Sequence, residues 1–163
     1  MEAKVVWSKN LSFTGTADSG FELPLGARAS AGGDEDGFRP MELFAIGLAG
    51  CTAMDVISIL QKKRQEVTDF EVQVHVDREE SHPKVFTQGV IRYLVTGHNV
   101  DETAVKRSIE LSITRYCPGY AMLSKAMPIS MRYEIFEGAG SEERTPVTSG
   151  EYKPASSPEG ETV

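Results

Sequence analysis

The sequence is poor in several features that mark whole classes of protein. Its 163 residues include only two cysteines, three histidines and one tryptophan, and the 17 Lys and Arg are outnumbered by 24 Asp and Glu. The net charge of −7 disfavours a nucleic-acid backbone or an anionic membrane surface as a partner. The uncharged run in the main apolar segment, residues 43–54, is shorter than the ~20 residues that cross a bilayer. We therefore expect a soluble protein that binds neither nucleic acid nor membrane.

The N-terminus and the cysteines point to a reducing compartment. The opening residues MEAKVVW contain no basic segment followed by an apolar run and a cleavage site, so we expect a cytoplasmic protein. Cys51 and Cys117 form no CxxC motif, and the histidines lack the spacing of metal ligands, so we expect no metal or other cofactor. In the cytoplasm the two thiols are either packed in the core or chemically active.

The composition changes near residue 138. Residues 138–163 contain only five hydrophobic side chains, three of the eight prolines and an excess of acidic residues. Such a segment buries too little apolar surface to offset its ordering entropy. The sequence therefore predicts one folded domain over residues 1–137 and a flexible acidic C-terminal tail over residues 138–163.

The first half of the domain reads as strands followed by one long helix. Short β-type segments around Val5, Phe13 and Leu23 predict an N-terminal strand meander. After a polar loop, a helix is expected to begin at Pro40 and to run to about residue 66. Its first turns are apolar on nearly every side, which predicts a central helix surrounded by other structure.

The second half predicts a hairpin, a helix and a last strand. Apolar and polar residues alternate from Phe70 to Asp77, and residues 85–96 form the partner strand of an antiparallel hairpin. Asp101 is expected to cap a second helix, which Pro118 interrupts before a short helix and a strand over residues 129–135. This order predicts an α+β fold with an antiparallel sheet.

Each cysteine allows two interpretations. Cys117 precedes Pro118 at a break between helices, where the N-terminus of the next helix would lower the pKa of its thiol, but a small buried thiol suits the same place. Cys51 lies in an apolar helix that disfavours a thiolate, so a nucleophilic Cys51 needs help from elsewhere. Gly47 and Gly50 indicate close approach of another backbone or of a substrate.

Three stretches carry a resemblance to a known family. The segments RPMELF (39–44), AGCTAMD (49–55) and RYCP (115–118) resemble the OsmC and organic hydroperoxide resistance (Ohr) superfamily over essentially residues 1–137. The resemblance implies an intertwined homodimer in which sheets from both subunits wrap each long helix. It also implies that Cys51 attacks the peroxide and that Cys117 resolves the sulfenic acid as a disulfide, which a dithiol then reduces.

The sequence departs from the peroxidase members at the groups that activate the first thiol. Those members place a glutamate directly after the helix-starting proline, where this chain has Met41 and only then Glu42, and they carry an arginine in an N-terminal loop. Residues 13–26 contain no arginine, so Arg28 and Arg39 are the nearest cations in sequence. The pattern is closer to the OsmC-like branch. We take Cys51, Cys117, Glu42 and Arg39 as the candidate catalytic residues.

Two functions remain open from the sequence. The first is a cofactor-free thiol peroxidase that reduces small organic hydroperoxides with the Cys51 and Cys117 pair. The second is an OsmC-like dimer without peroxidase activity, which binds a small apolar ligand or senses oxidants through the same thiols. The missing activating residues favour the second function, and the retained cysteine pair favours the first.

Overall fold

The computed structural model describes residues 1–138 and 145–153, and it divides into two compact units, residues 1–46 and 47–163. The first unit contains an antiparallel sheet in the order β1 (Ala3–Lys9), β2 (Ser12–Ala17) and β3 (Glu22–Leu25). This arrangement confirms the predicted meander. All seven residues of β1 are exposed, Val5, Val6 and Trp7 among them.

The long helix α1 (Pro40–Lys62) begins in the first unit and continues into the second. Pro40 occupies its first position, as predicted, because a helix needs no N–H there. The helix ends four residues earlier than predicted, because Arg64 adopts a left-handed conformation and the N–H of Gln65 bonds back to the carbonyl of Leu60.

One face of α1 is buried and the rest is not. Leu48, Thr52, Val56 and Leu60 belong to the buried core of the second unit. The prediction of a helix covered on every side is therefore wrong for the single chain, where Met54 is 69% exposed. By length and composition α1 passes the test for a membrane-spanning helix, as the core helix of a soluble protein also can.

The second unit is built on a four-stranded sheet in the order β4, β5, β6 and β7. The hairpin of β4 (Glu66–Arg78) and β5 (Phe86–His98) is antiparallel, as predicted. β6 (Ile129–Glu137) lies parallel to β5, an arrangement that the sequence analysis did not predict. The chain between β5 and β6 folds as helices and returns to the same end of the sheet, so a parallel pair results.

The helices between β5 and β6 carry the second cysteine. α2 (Glu102–Leu111) is capped by Asp101, whose carboxylate accepts the N–H of Thr103 at 2.9 Å, as predicted. A π-helical turn (Ser112–Tyr116) follows, and α3 (Pro118–Leu123) begins directly after Cys117. The π turn is wider than an α-helical turn, and it leaves Tyr116 exposed while Cys117 is buried.

Part of the expected flexible tail is a strand. β7 (Thr148–Tyr152) pairs antiparallel with β6, and Tyr152 packs against the core. The expectation of a flexible tail therefore does not hold for these five residues, because β6 offers a free edge and the segment supplies one aromatic side chain to bury. Residues 139–144 and 154–163 lie outside the described residues.

Candidate thiol site

Cys51 and Cys117 approach each other in the second unit. Both thiols are free, Cys51 half-buried on α1 and Cys117 buried with 2% exposure before α3. Gly119 shows how near they are. A β-carbon added there would lie 3.7 Å from the sulfur of Cys51 and 3.8 Å from that of Cys117. The two sulfurs therefore face the same small space beside the backbone of Gly119.

Cys117 lies at the N-terminus of the short helix α3, where the sequence allowed either a thiol of lowered pKa or a small buried thiol. Its sulfur accepts the N–H of Tyr120 at 3.3 Å, so it caps α3 as predicted. Burial nevertheless raises the pKa of the Cys117 thiol to about 12, and the neighbouring Cys51 adds to the rise. Of the two interpretations that the sequence allows, the structure therefore supports the small buried thiol, because one backbone N–H does not replace the water that burial removes. Cys117 is a protonated thiol at neutral pH.

A chain of buried hydroxyl groups joins the two cysteine-bearing segments. The hydroxyl of Thr52 lies 2.7 Å from that of Tyr93 and 3.0 Å from that of Ser112, and Ser112 donates to the carboxylate of Asp55 at 3.0 Å. Thr52, Tyr93 and Ser112 are each completely buried. Burial raises the pKa of Tyr93, so its phenol stays protonated.

Nothing in the sequence alone singles out these buried hydroxyl residues. Thr52 adjoins Cys51 in the chain, but a lone Thr or Ser in a helix carries no signal for the partner it finds in another element. The contact between Thr52 and Ser112 joins positions far apart in the sequence. It becomes visible only when α1 and the π turn are packed together.

Arg39 and Glu42 lie together in the first unit. The Glu42 carboxylate accepts the backbone N–H of Arg39 at 3.0 Å and pairs with the Arg39 guanidinium. The backbone hydrogen bond from Arg39 lowers the pKa of Glu42, and the charges of Arg39 and Arg28 contribute further. Glu42 at the third helical position reaches back to the residue before α1, which is one half of a capping box. Its role in catalysis stays a prediction.

The cavities of the described residues include an apolar one in the first unit and a smaller one beside Cys117. The first unit has an apolar cavity of about 520 Å³ that is open to solvent, and its lining includes Val5, Leu11, Phe13, Leu25, Leu43 and Phe44. In the second unit, a cleft of about 190 Å³ opens beside Cys117, next to Tyr116 and Pro118. Among residues 1–138 and 145–153, no group of three or more His, Cys, Asp or Glu side chains is placed to hold a metal ion.

The space beside the two glycines of α1, Gly47 and Gly50, is open in the part of the chain that the structure describes. The sequence suggested that Gly47 and Gly50 admit another backbone or a substrate. In the described part of the chain, no atom outside the helix backbone lies within 4 Å of the β-carbon that either glycine lacks. Both positions therefore face open space among the described residues.

Comparison with known proteins identifies a matching family and a relative of similar length. Residues 32–132 match the model of the OsmC-like protein family. Protein YhfA of Escherichia coli K12 is 38% identical over 135 residues, which cover 83% of this chain and 98% of YhfA.

Solved structures share the fold. A hypothetical protein from Aquifex aeolicus VF5 is 29% identical, with a TM-score of 0.73 over 84% of this chain and 96% of its own. The organic hydroperoxide resistance protein OsmC from Legionella pneumophila has a TM-score of 0.61 at 17% identity, over 82% of this chain and 94% of its own. At that identity the second likeness concerns the fold alone.

Proposed function

Because the chain belongs to the OsmC-like family, we propose that it is a thiol peroxidase that reduces organic hydroperoxides through Cys51 and Cys117. The observation that carries this proposal is the pair of free thiols that face one space beside Gly119. Two thiols so placed can form a disulfide after a modest movement. Cysteines that serve only to fill a core need not lie next to each other.

A difference in burial supports different roles for the two cysteines. Cys51 is half-buried, whereas Cys117 is buried and protonated at neutral pH. In the proposed first step, the Cys51 thiolate attacks the distal peroxide oxygen, the O–O bond breaks, and the alkoxide leaves and takes up a proton. Cys51 becomes a sulfenic acid, and the peroxide is reduced to an alcohol.

The second step uses the proton that Cys117 retains. The Cys117 sulfur attacks the sulfenic acid, its proton joins the departing hydroxide as water, and the Cys51–Cys117 disulfide forms. A dithiol of the reducing cytoplasm then returns both residues to thiols by exchange. No metal or organic cofactor takes part in this cycle.

Glu42 and Arg39 of one subunit are proposed to activate the thiol of the partner subunit in a homodimer, because nine residues of α1 separate Glu42 from Cys51 within one chain, about 13.5 Å along the helix. Both are present as a charged, hydrogen-bonded pair, and Arg28 lies near enough to lower the pKa of Glu42. A cation beside a thiolate or a peroxide oxygen stabilises the charge that moves during the attack.

The proposed working form is a homodimer. β1 exposes Val5, Val6 and Trp7, and α1 exposes Phe44, Ile46 and Met54. A soluble monomer rarely leaves so many large apolar side chains in water. A second copy of the chain would cover them and would supply the remaining cover for α1.

Hydroperoxide turnover with dithiothreitol as the reductant tests the proposed function. We expect Cys51→Ser to abolish consumption of cumene hydroperoxide. When dithiothreitol is left out, Cys117→Ser should undergo one rapid oxidation per site and accumulate the sulfenic or sulfinic acid. Unchanged turnover by Cys51→Ser would refute the proposal. Circular dichroism of each variant separates loss of chemistry from loss of fold.

One observation supports a second candidate function. The apolar cavity of the first unit is large enough for an alkyl chain, so a protein without peroxidase activity would still bind a small apolar ligand. For this function, calorimetry with a fatty acid that carries no peroxide should show binding that Leu43→Gln weakens and Cys51→Ser leaves unchanged. The absence of any such binding would exclude it.

A further inference from the structure

The buried hydroxyl chain connects the two cysteines through only two polar contacts. Thr52 follows Cys51 directly on α1, and its hydroxyl contacts that of Ser112 at 3.0 Å. The backbone carbonyl of Ser112 in turn accepts the N–H of Cys117 at 2.8 Å. Ser112 therefore holds α1 with its side chain and Cys117 with its main chain.

The hydrogen bonds of this chain have a fixed direction. Ser112 uses its only hydroxyl proton on the Asp55 carboxylate, so Thr52 must donate to Ser112. Thr52 then has no proton left for Tyr93, and Tyr93 must donate to Thr52. Each buried hydroxyl has its donor used, so removal of one leaves a buried neighbour without its partner.

Such a chain is costly to keep in a core. An apolar side chain of the same size in place of Thr52 or Ser112 would need no hydrogen-bond partner when buried. In addition, neither Thr nor Ser favours the interior of a helix. A network in which all members are satisfied, however, fixes one arrangement of the elements it joins. Here the joined elements are α1 and the π turn, which carry or directly precede the two thiols.

We propose that Thr52 and Ser112 are positioning residues, which clamp α1 to the π turn and so hold Cys51 and Cys117 at the separation from which their disulfide forms. The clamp rests on the thiol pairing of the proposed function. The clamp concerns how readily the two thiols form a disulfide, and it does not depend on which oxidant forms that disulfide.

The test uses glutathione and no hydroperoxide. Full-length protein is equilibrated with mixtures of oxidised and reduced glutathione, where one disulfide of glutathione is exchanged for the Cys51–Cys117 disulfide and two glutathione thiols are released. Mass spectrometry after alkylation measures the fraction of oxidised protein. This fraction gives the effective concentration of the two thiols, which expresses how readily they form a disulfide relative to glutathione. Failure of the peroxidase proposal leaves this equilibrium unaffected.

Matched variants separate the hydroxyl group from packing. Thr52→Val keeps the shape of Thr52 without its hydroxyl, Thr52→Ser keeps the hydroxyl, and Ser112→Ala removes the central member. Ser108→Ala is the control, because Ser108 is also completely buried but donates only to the carbonyl of Ala104 within α2.

We expect Thr52→Val and Ser112→Ala each to lower the effective concentration about tenfold, the equivalent of one buried hydrogen bond. Thr52→Ser and Ser108→Ala should stay within about twofold of the parent protein. The clamp is refuted if Thr52→Val and Ser112→Ala match the parent, if Ser108→Ala falls as far as they do, or if the parent forms no Cys51–Cys117 disulfide.

Discussion

At the scale of single residues, the two cysteines differ in their exposure to water. The Cys117 sulfur accepts a helix N–H, a contact that favours a thiolate, yet burial decides its state and raises its pKa to about 12. A thiol that keeps its proton cannot begin the attack on a peroxide but can supply the proton that a departing hydroxide needs. Burial of one cysteine and partial exposure of the other thus suit an ordered two-step oxidation.

The raised pKa of Cys117 predicts a loss of stability in alkali. An unfolded thiol loses its proton near pH 8.5, whereas folded Cys117 keeps its proton up to about pH 12. The folded state therefore binds more protons in this range, and the free energy of unfolding must fall as the pH rises through it. Below about pH 8.5 this contribution is fully present.

Urea unfolding of the reduced parent protein and of Cys117→Ser at neutral pH and at about pH 10 measures this effect. Serine does not titrate there, so the variant should lose less stability than the parent between the two values. Equal losses would show that Cys117 titrates normally in the folded protein. Tyrosines and lysines titrate in both proteins, and their contributions cancel in the comparison.

Glu42 provides a second test at this scale. If it activates the thiol together with Arg39, Glu42→Gln should slow the reaction with cumene hydroperoxide by about 100-fold, because the amide cannot carry the charge or take a proton. Glu110→Gln is the matched control, since Glu110 pairs with Arg107 at the same spacing in α2. Equal rates in the two variants would leave Glu42 with only its capping role.

At the scale of elements, a wide turn and a short helix place the second thiol. The π turn inserts an extra residue after α2, so Cys117 faces the core instead of Tyr116. π turns of this kind are frequent at functional sites. Gly119, in the first turn of α3, then leaves the space that both sulfurs face.

Gly119→Ala should preserve the stability of the fold and slow the oxidation of Cys51. The added methyl group would make ordinary contacts of 3.6–3.8 Å with Cys51 and Cys117, and alanine favours a helix more than glycine does. We therefore expect a melting temperature no lower than that of the parent, and oxidation of Cys51 by cumene hydroperoxide slowed at least about tenfold, since the methyl group covers the sulfur. An unchanged oxidation rate would show that the peroxide approaches from another side.

Local sequence patterns predicted most of the helices and strands but fewer features of the thiol site. The N-terminal meander, the start of α1, the β4–β5 hairpin and the cap at Asp101 each depend on neighbouring residues, and the structure confirms them. The parallel pairing of β6, the strand β7 and the π turn depend on which edges and faces meet after folding, which no local pattern records.

The same distinction holds within the site. Cys51 and Cys117 were found by their sequence context, and the structure brings them to one space. The sequence left the state of Cys117 open between two interpretations, because burial is a property of the packed core. The contact between Thr52 and Ser112 was missed because it joins two separate helical segments.

At the scale of the whole molecule, the single chain leaves much apolar surface uncovered. Trp7 on β1 is 63% exposed, and Phe44, Ile46 and Met54 on α1 are also exposed. A core helix with large apolar side chains in water needs a partner surface, and association of two copies would supply one.

The dimer is tested by light scattering after gel filtration. The parent protein should have twice the mass of one chain, and Met54→Glu should shift it toward the monomer, because a carboxylate buried without a partner is unfavourable. Val85→Glu is the control, since Val85 lies in the turn between β4 and β5 and is exposed to a similar degree. A monomeric parent protein would contradict the proposed assembly.

Peptide mapping tests the central claim, the joining of the two thiols by a peroxide, most directly. The reduced protein is treated with one equivalent of cumene hydroperoxide, quenched by alkylation within seconds and digested for mass spectrometry. The account predicts a Cys51–Cys117 disulfide in nearly stoichiometric yield. Two alkylated thiols, or a slowly over-oxidised Cys51 with Cys117 still reduced, would contradict it.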